Sequence, residues 1–502
     1  MKRYQLPTEI DETALREKLD RNHRLVVGKK RRLTVTYLDT FDWRLHRAGF
    51  VLVAEHNRGQ RLVLFERGRV PYSIEARTTP TFAEDLPAGH LTESISSSLG
   101  VRALVPVGVG RVERWDGRVE DGDGDIHALV RFDELEILDD SDRPVGSTIC
   151  TLRVSEPGPI EGMLSSCGAT PAEDHDLAPA AEAQGRTPDD YSSKLKISLD
   201  RRQNSVSALR TILLDLVSTM ELNAAGTIDD IDTDFVHDLR VACRRTRSAL
   251  SQLKGVLTAD LVAPFKTEFK WLGDVTGPLR DLDVFLLELP AYRSMLPGHA
   301  RPDLTHLEEL IRSKRTPAHR AVVRALRSVR FRRLINGWRE TLEEARSSVS
   351  HAASRSTGDL AARRVSKAHR RILKRGRALG DHPPAADLHR LRIDAKKLRY
   401  LLEFFRSLYP PREIGARIKE LKKLQDILGG FNDMQFQRER LAEFADTLNA
   451  APSVATGCIR TLGRLDGYLE ERQENFRHAF HDAFVDFSSH SVTAAYRRLC
   501  ET

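Results

Sequence analysis

Long apolar runs are missing from this chain of 502 residues, which nowhere approaches the roughly 20 consecutive apolar residues that a membrane-spanning helix needs. No apolar stretch of signal-peptide length follows Met1-Lys2-Arg3-Tyr4-Gln5, so the reading is a soluble, cytoplasmic protein without a membrane partner. Cysteine is scarce too. Cys150, Cys167, Cys243, Cys458 and Cys500 are odd in number and form no CxxC pair, which excludes a disulfide framework and a zinc site built on paired cysteines. Aromatic residues are only 6% of the chain, so base-stacking platforms are few and single-stranded nucleic acid is a poor candidate partner.

The charge that is present is unevenly placed. Residues 1–195 hold 26 Lys and Arg against 33 Asp and Glu, whereas residues 196–502 hold 53 against 39. The whole basic excess therefore lies in the second part, a balance that suits a polyanionic partner.

The two parts also differ in periodicity. Leu33–Tyr37, Phe50–Ala54, Arg61–Phe65 and Ala128–Phe132 alternate or run apolar between Gly, Asp and Asn turns, as strands of an antiparallel sheet or barrel do. A helix opens this part, with Thr8 as its expected N-cap and Leu15 and Leu19 spaced four apart. Residues 166–195 shift to Pro, Gly, Ala, Ser and acids and read as a linker. From residue 196 onward strand signals stop and patterns of period 3.6 predict about eight helices.

An internal repeat organises that helical part. Displaced by 152 residues and without a gap, His237, Leu239, Arg240, Arg247 and Leu250 fall on His389, Leu391, Arg392, Arg399 and Leu402. Lys270, Leu272, Asp274, Gly277 and Asp281 fall on Lys422, Leu424, Asp426, Gly429 and Asp433. The match predicts two related four-helix halves, about 196–350 and 351–502.

At 100° per residue, His237, Arg240, Arg244 and Arg247 share one helix face, while Leu239, Cys243, Thr246, Leu250 and Leu253 lie about 180° away. The second copy repeats this with His389, Arg392, Lys396 and Arg399 opposite Leu391, Ala395, Leu398, Leu402 and Phe405. Arg245 and Lys397 widen the stripe. An ordinary solvated face intersperses acids with bases, because like charges four residues apart repel. No acid relieves the stripe in either copy, and guanidinium forks suit phosphate oxygens, so the twofold stripe predicts an anion-binding surface. On the next helix Lys270 and Lys422 are further candidate ligands, the four aspartates are expected to orient the arginines, and Gly277 and Gly429 to allow close helix approach or a break.

The pattern H-x-x-R-[VI]-x-x-[RK]-[RK]-x-R, met at His237–Arg247 and again at His389–Arg399, resembles the CHAD family, the conserved histidine α-helical domain. The resemblance covers residues 196–502 and implies two four-helix bundles in pseudo-twofold arrangement around a basic groove that binds inorganic polyphosphate. The ligands it implies are His237, Arg240, Arg244, Arg245, Arg247, His389, Arg392, Lys396, Lys397 and Arg399.

Residues 1–165, through Tyr37–Gly49 and Arg131–Glu136, resemble the CYTH or triphosphate-tunnel fold. Active members open with E-x-E-x-K, paired carboxylates on one side of a strand that hold a divalent metal. Here the first strand offers Arg3, Tyr4 and Gln5, and no acid precedes Glu9; Glu9 and Asp11 suit a helix start instead. A degenerate barrel is expected, with phosphate affinity surviving, if at all, through Arg61, Arg77, Arg131 or Arg153.

The sequence thus predicts a multidomain α+β protein, an antiparallel β-barrel followed by an all-α module, that binds polyphosphate or another phosphate-rich polyanion, without catalytic residues and without a required cofactor. Association with polyphosphate granules is the expected location. The rival reading is a triphosphatase or nucleotidyl transferase in the barrel, dependent on Mg or Mn and on Glu134 and Glu136.

Overall fold

The structure is a computed structural model that describes residues 1–18, 23–67, 69–172, 176–344, 356–380, 382–450 and 456–501. Two units, Met1–Ser193 and Lys194–Thr502, each fold around their own contacts. In the first, the alternating runs give β1 (Lys2–Leu6), α1 (Glu12–Glu17), β2 (His23–Val27), β3 (Arg31–Thr40), α2 (Arg44–Arg47), β4 (Phe50–His56), β5 (Gln60–Glu66) and β6 (Tyr72–Ala76). There follow α3 (His90–Leu99), β7 (Leu104–Asp121), β8 (Ile126–Leu138), β9 (Ile149–Val154), α4 (Glu161–Ser166), β10 (Thr170–Pro171) and α5 (Ala178–Ala183). All four runs read as strands lie inside β3, β4, β5 and β8.

The ten strands make one antiparallel sheet in the order β10-β1-β9-β8-β7-β3-β4-β5-β6, with β2 on β7. It is barrel-like but open: among the described residues no ladder joins β6 to β1 or β10. Alternation sends Leu33, Val35, Tyr37, Val53, Val63, Phe65, Val112, Leu135 and Ile137 to one face, and Trp115, Phe132, Leu152 and Val154 to the other.

Two expectations change here. The first helix starts at Glu12 rather than next to Thr8, because Asp11 is its N-cap and accepts the Ala14 N–H at 2.8 Å; Leu19 lies outside the described residues. The segment 166–195 is not a free linker either. Within it α5 packs Leu177, Ala180 and Ala181 among the apolar residues of the sheet's Tyr37 face, and Gly108 lies so close to Ala180 that a Cβ there would come to 2.5 Å. Alanine- and proline-rich composition reads as linker only while the partner surface is unseen; small side chains are what let a helix press onto a sheet.

The second unit is all helical: α6 (Ser205–Ile228), α7 (Thr233–Gln252), α8 (Ala259–Met295), α9 (Leu304–Leu326), α10 (Val329–Glu344), α11 (Thr357–Arg377), α12 (Ala385–Phe404), α13 (Pro411–Asn449), α14 (Thr456–Ser488) and α15 (His490–Glu501). The starts of α11, α12, α13 and α14 follow those of α6, α7, α8 and α9 by the same 152 residues. The repeat read from one pair of motifs therefore runs through four helices. Even the caps correspond: Asn204 accepts Ser207 N–H at 2.7 Å, Ser356 accepts Asp359 N–H at 3.1 Å, and the two cap residues pair with each other in a β-bridge. The expected seam between the halves at 350/351 lies outside the described residues.

The predicted apolar faces of α7 and α12 are buried throughout, Leu239, Cys243, Thr246, Leu250 and Leu253 on one and Leu391, Ala395, Leu398, Leu402 and Phe405 on the other. They do not serve separate cores. One apolar cluster joins Leu213, Leu239 and Leu250 to Leu391 and Leu402, and a second joins Phe285 and Leu307 to Phe444 and Leu465. Four helices of one half leave apolar surface that only the other half covers.

Candidate phosphate-binding site

α7 starts firmly because the Asp232 carboxylate accepts the N–H groups of Asp234 and Phe235. Its basic face then meets α8. Arg240 lies across that helix, Nη1 donating to Gly273 O at 2.9 Å and to Thr276 Oγ1 at 3.0 Å. Gly277 makes room for it, since a Cβ there would stand 3.3 Å from the guanidinium. Arg244 and Arg247 are exposed and, among the described residues, have no hydrogen bond or ion pair. His237 is half-buried in the first turns of the same helix.

α12 is anchored on α13 in the same manner but with other partners. His389 Nδ1 meets Asn432 Oδ1 at 2.6 Å, and Asn432 Nδ2 donates to Leu428 O, so the amide oxygen must accept and the imidazole proton sits on Nδ1. Arg392 donates to Asp433 at 2.9 Å. Arg399 donates to Glu403 at 2.7 Å, and Glu403 also accepts from Arg245 of α7 at 2.9 Å. The stripe is therefore not free of acids as the sequence suggests. Asp433 arrives from the neighbouring helix, and Glu403 stands one turn beyond Arg399, past the end of the repeated motif.

Charge remains in excess where the two stripes meet. Burial pushes the Lys396 ammonium down to about 8, and Arg392, Arg244 and Arg399 crowd it further, with Asp433 opposing. Arg244 and Lys396 occupy the same position in the two halves, 152 residues apart, and the charge of the first acts on the second. Burial likewise lowers the Arg240 guanidinium, with Arg244 and Arg280 adding to it. Asp281 acts on Arg240 from α8; burial holds its carboxyl above the usual range although Arg240, Arg440, Arg280 and Arg244 oppose that.

Arg280 and Arg440 escaped the sequence reading. Arg280 is adjacent to the α8 motif but aligns with Asn432, so it breaks the repeat that drew attention to its neighbours. Nothing local marks Arg440, which the length of α13 carries to this end.

Other candidates lie elsewhere. Arg245 does not widen the stripe; it is half-buried against Glu403. Lys397 turns into a separate cavity on the flank, lined also by Lys254, Arg364, Lys367 and Arg371. Lys270 pairs with Asp274 of its own helix at 2.6 Å, both exposed, and Lys422 is exposed. Among the described residues only Asp433 of the four aspartates hydrogen-bonds a motif arginine: Asp274 takes Lys270, and Asp281 and Asp426 accept nothing. Gly429 has open space where a Cβ would go; the close approach in this copy is at Gly430, against Phe476.

In the first unit, β1 sends Arg3 and Gln5 to the sheet face where paired carboxylates would have to stand, in register with Arg153 and Thr151. Three acids of that face, Asp133, Glu55 and Asp116, are already matched. Arg114 donates to Asp133 at 2.6 Å and pairs with Glu55 at 2.8 Å; Arg131 donates to Asp116 at 2.7 Å, which also pairs with Arg31. Arg153 lies 5.2 Å over the Phe65 ring, and Arg61 and Arg77 are exposed. Glu134 and Glu136 line a cavity of about 660 Å³ with Arg32, Arg111 and Glu113, where Arg32 holds Glu113 at 2.6 Å. Among the described residues no three His, Cys, Asp or Glu stand together as metal ligands, and no helix is long and apolar enough to cross a membrane.

The family model of the CHAD domain matches residues 211–442, a span that takes in every candidate from His237 to Lys422. An uncharacterized Mycobacterium tuberculosis protein, Rv2226, is 31% identical over 226 residues, 43% of this chain and 42% of that relative, and its counterpart MT2285 from another strain is 30% identical over the same share. The chain thus covers less than half the length of these curated relatives. Among solved structures, the CHAD domain of the plant Ricinus communis superposes with a TM-score of 0.49 at 26% identity, over 58% of this chain and 95% of that one. A putative adenylyl cyclase from Hippeastrum, whose description reports a dominant triphosphatase activity, gives 0.27 at 17% identity over 38% and 98%.

Proposed function

We propose, from the premise that residues 211–442 form a CHAD domain, that the helical unit binds long-chain inorganic polyphosphate along the ridge where α7 and α12 meet. The observation that carries this reading is the crowding of Lys396 by Arg244 across the repeat and by Arg392 and Arg399 on its own helix. Cations held this close without enough acids to balance them raise the energy of the free protein, and a chain of phosphates relieves it. Arg240 and Arg392 are pinned to neighbouring helices and Arg399 to Glu403 of its own helix, so their forks are oriented before a ligand arrives and little side-chain entropy is lost on binding. Recognition would be of the repeating backbone alone, by charge-assisted hydrogen bonds, and counterion release would make affinity fall steeply with salt. The same contacts would gather the protein on polyphosphate granules.

Arg244→Glu with Lys396→Glu tests the ridge, because among the described residues neither side chain holds a hydrogen bond. Titration calorimetry should show long-chain polyphosphate binding weakened about a hundredfold or more, each reversal removing an attraction and adding a repulsion. Unweakened binding by a variant with an unchanged circular dichroism spectrum would sink the assignment.

A further inference from the structure

The duplication supplies an internal control on a second place. On the flank of α12 a cavity of about 380 Å³ is lined by Lys254, Arg364, Lys367, Arg371, Lys397 and Asp394, with Ala368 and Leu401 as its apolar wall. Five cations face one carboxylate there. That carboxylate is committed: Asp394 accepts from Arg375 at 2.5 Å and stands 3.8 Å from Arg371. Lys254, Lys367 and Lys397 have no ion pair among the described residues, and Arg364 is braced by its hydrogen bond to Lys254 O at 2.8 Å.

The repeat-related place in the first half is built on the equivalent helices, α6 and α7 in place of α11 and α12, and carries a different charge. Counted back by 152 residues, Lys367 becomes Asp215, Arg371 becomes Thr219 and Arg364 becomes Ile212; counted forward, Ser251 becomes Glu403. The mate of Lys397 is Arg245, which Glu403 neutralises at 2.9 Å and in whose field Asp215 also lies. One scaffold thus carries a balanced cluster in one copy and an unbalanced cationic pocket in the other. Packing alone does not explain that difference, because the balanced version shows the scaffold stands without it.

We propose that this cavity is a separate site for a compact oligophosphate of about tripolyphosphate size. Its volume lies near the lower end of the roughly 300–1,000 Å³ of small-ligand pockets. Three ammonium groups and one braced guanidinium around so small a space call for an anion with several charges on few atoms. Among the described residues no aromatic ring lines it, so a nucleobase would gain no stacking there. The proposal does not depend on polyphosphate binding at the α7–α12 ridge.

The test transplants the first half into the second. In the full chain, Lys367→Asp with Arg371→Thr installs the residues of the balanced copy at exposed positions, leaving Asp394 its bond to Arg375. Tripolyphosphate should bind the wild type with one site per chain, and the double variant about tenfold or more weaker, from the loss of two cations and the gain of one acid. Arg244→Glu with Lys396→Glu should leave tripolyphosphate affinity within about threefold. ATP should bind no more tightly than tripolyphosphate. The proposal is overturned if the wild type does not bind tripolyphosphate, if the transplanted variant binds it unchanged, if ATP binds an order of magnitude more tightly, or if the ridge variant loses tripolyphosphate as fully as the transplant. Because the ridge is read with long-chain polyphosphate and the cavity with tripolyphosphate, failure of one reading leaves the other standing.

Discussion

Burial, and after it the neighbouring Arg392, Arg244 and Arg399, gives Lys396 a measurable pH dependence. Its ammonium loses its proton near pH 8 in the free protein, against 10.5 for an ordinary lysine. A phosphate chain on the ridge favours the charged form and raises that value, so binding should take up a proton above about pH 8 and affinity should decline as pH rises further. Calorimetry in two buffers of different ionisation enthalpy at pH 8.5 would show the uptake, and Lys396→Arg should abolish it. The sign for stability is opposite. Between pH 8 and 10.5 the unfolded chain binds the proton that the folded one has released, so stability rises with pH across that window and the full cost is present below pH 8. Replacing the lysine by methionine should therefore stabilise the free protein at pH 7 by roughly 1–2 kcal/mol, after discounting for partial solvent screening, and weaken polyphosphate binding. A thermal melt that is unchanged or lowered would argue that Lys396 is not strained.

At the scale of elements, what was legible and what was not divide along one line. Faces of helices and strands follow from period, so the stripes of α7 and α12, their buried sides and four strands were readable, and the repeat fixed their correspondence. Contacts set by other elements were not. Nothing in the motif shows that Glu403 would take Arg245 and Arg399, that Lys397 would leave the stripe for a cavity made by α11, or that Arg440 would approach from the far part of α13. The misread of α5 as linker has the same origin: its alanines carry no amphipathic signal strong enough to announce the sheet they cover. Gly108→Ala tests that packing. Its Cβ would meet Ala180 at 2.5 Å, backbone included at 2.9 Å, so neither partner can yield by a rotamer change. The substitution should destabilise the first unit by about 1–3 kcal/mol, the usual cost of overpacking, read as a lowered midpoint in urea. A midpoint equal to wild type would detach α5 from the sheet.

For the whole molecule, the uneven charge separates what holds a ligand from what attracts it. All the ridge residues belong to the unit Lys194–Thr502, and in the first unit Arg114 and Arg131 are matched by Glu55, Asp133 and Asp116 of that same unit. Deleting residues 1–193 removes a net negative share of the charge and leaves the excess of 53 bases over 39 acids within residues 196–502. Long-range attraction governs encounter more than residence, and it is screened beyond a Debye length of about 8 Å at 0.15 M salt. The fragment should therefore capture polyphosphate faster than the full chain at low ionic strength, by severalfold, and at the same rate at about 0.5 M salt, with the dissociation rate unchanged at both. Stopped-flow association with immobilised or labelled long-chain polyphosphate would measure this. If dissociation instead quickened on deletion, the sheet would be contributing direct phosphate contacts, and Arg3, Arg61 and Arg153 would be the first residues to examine for them.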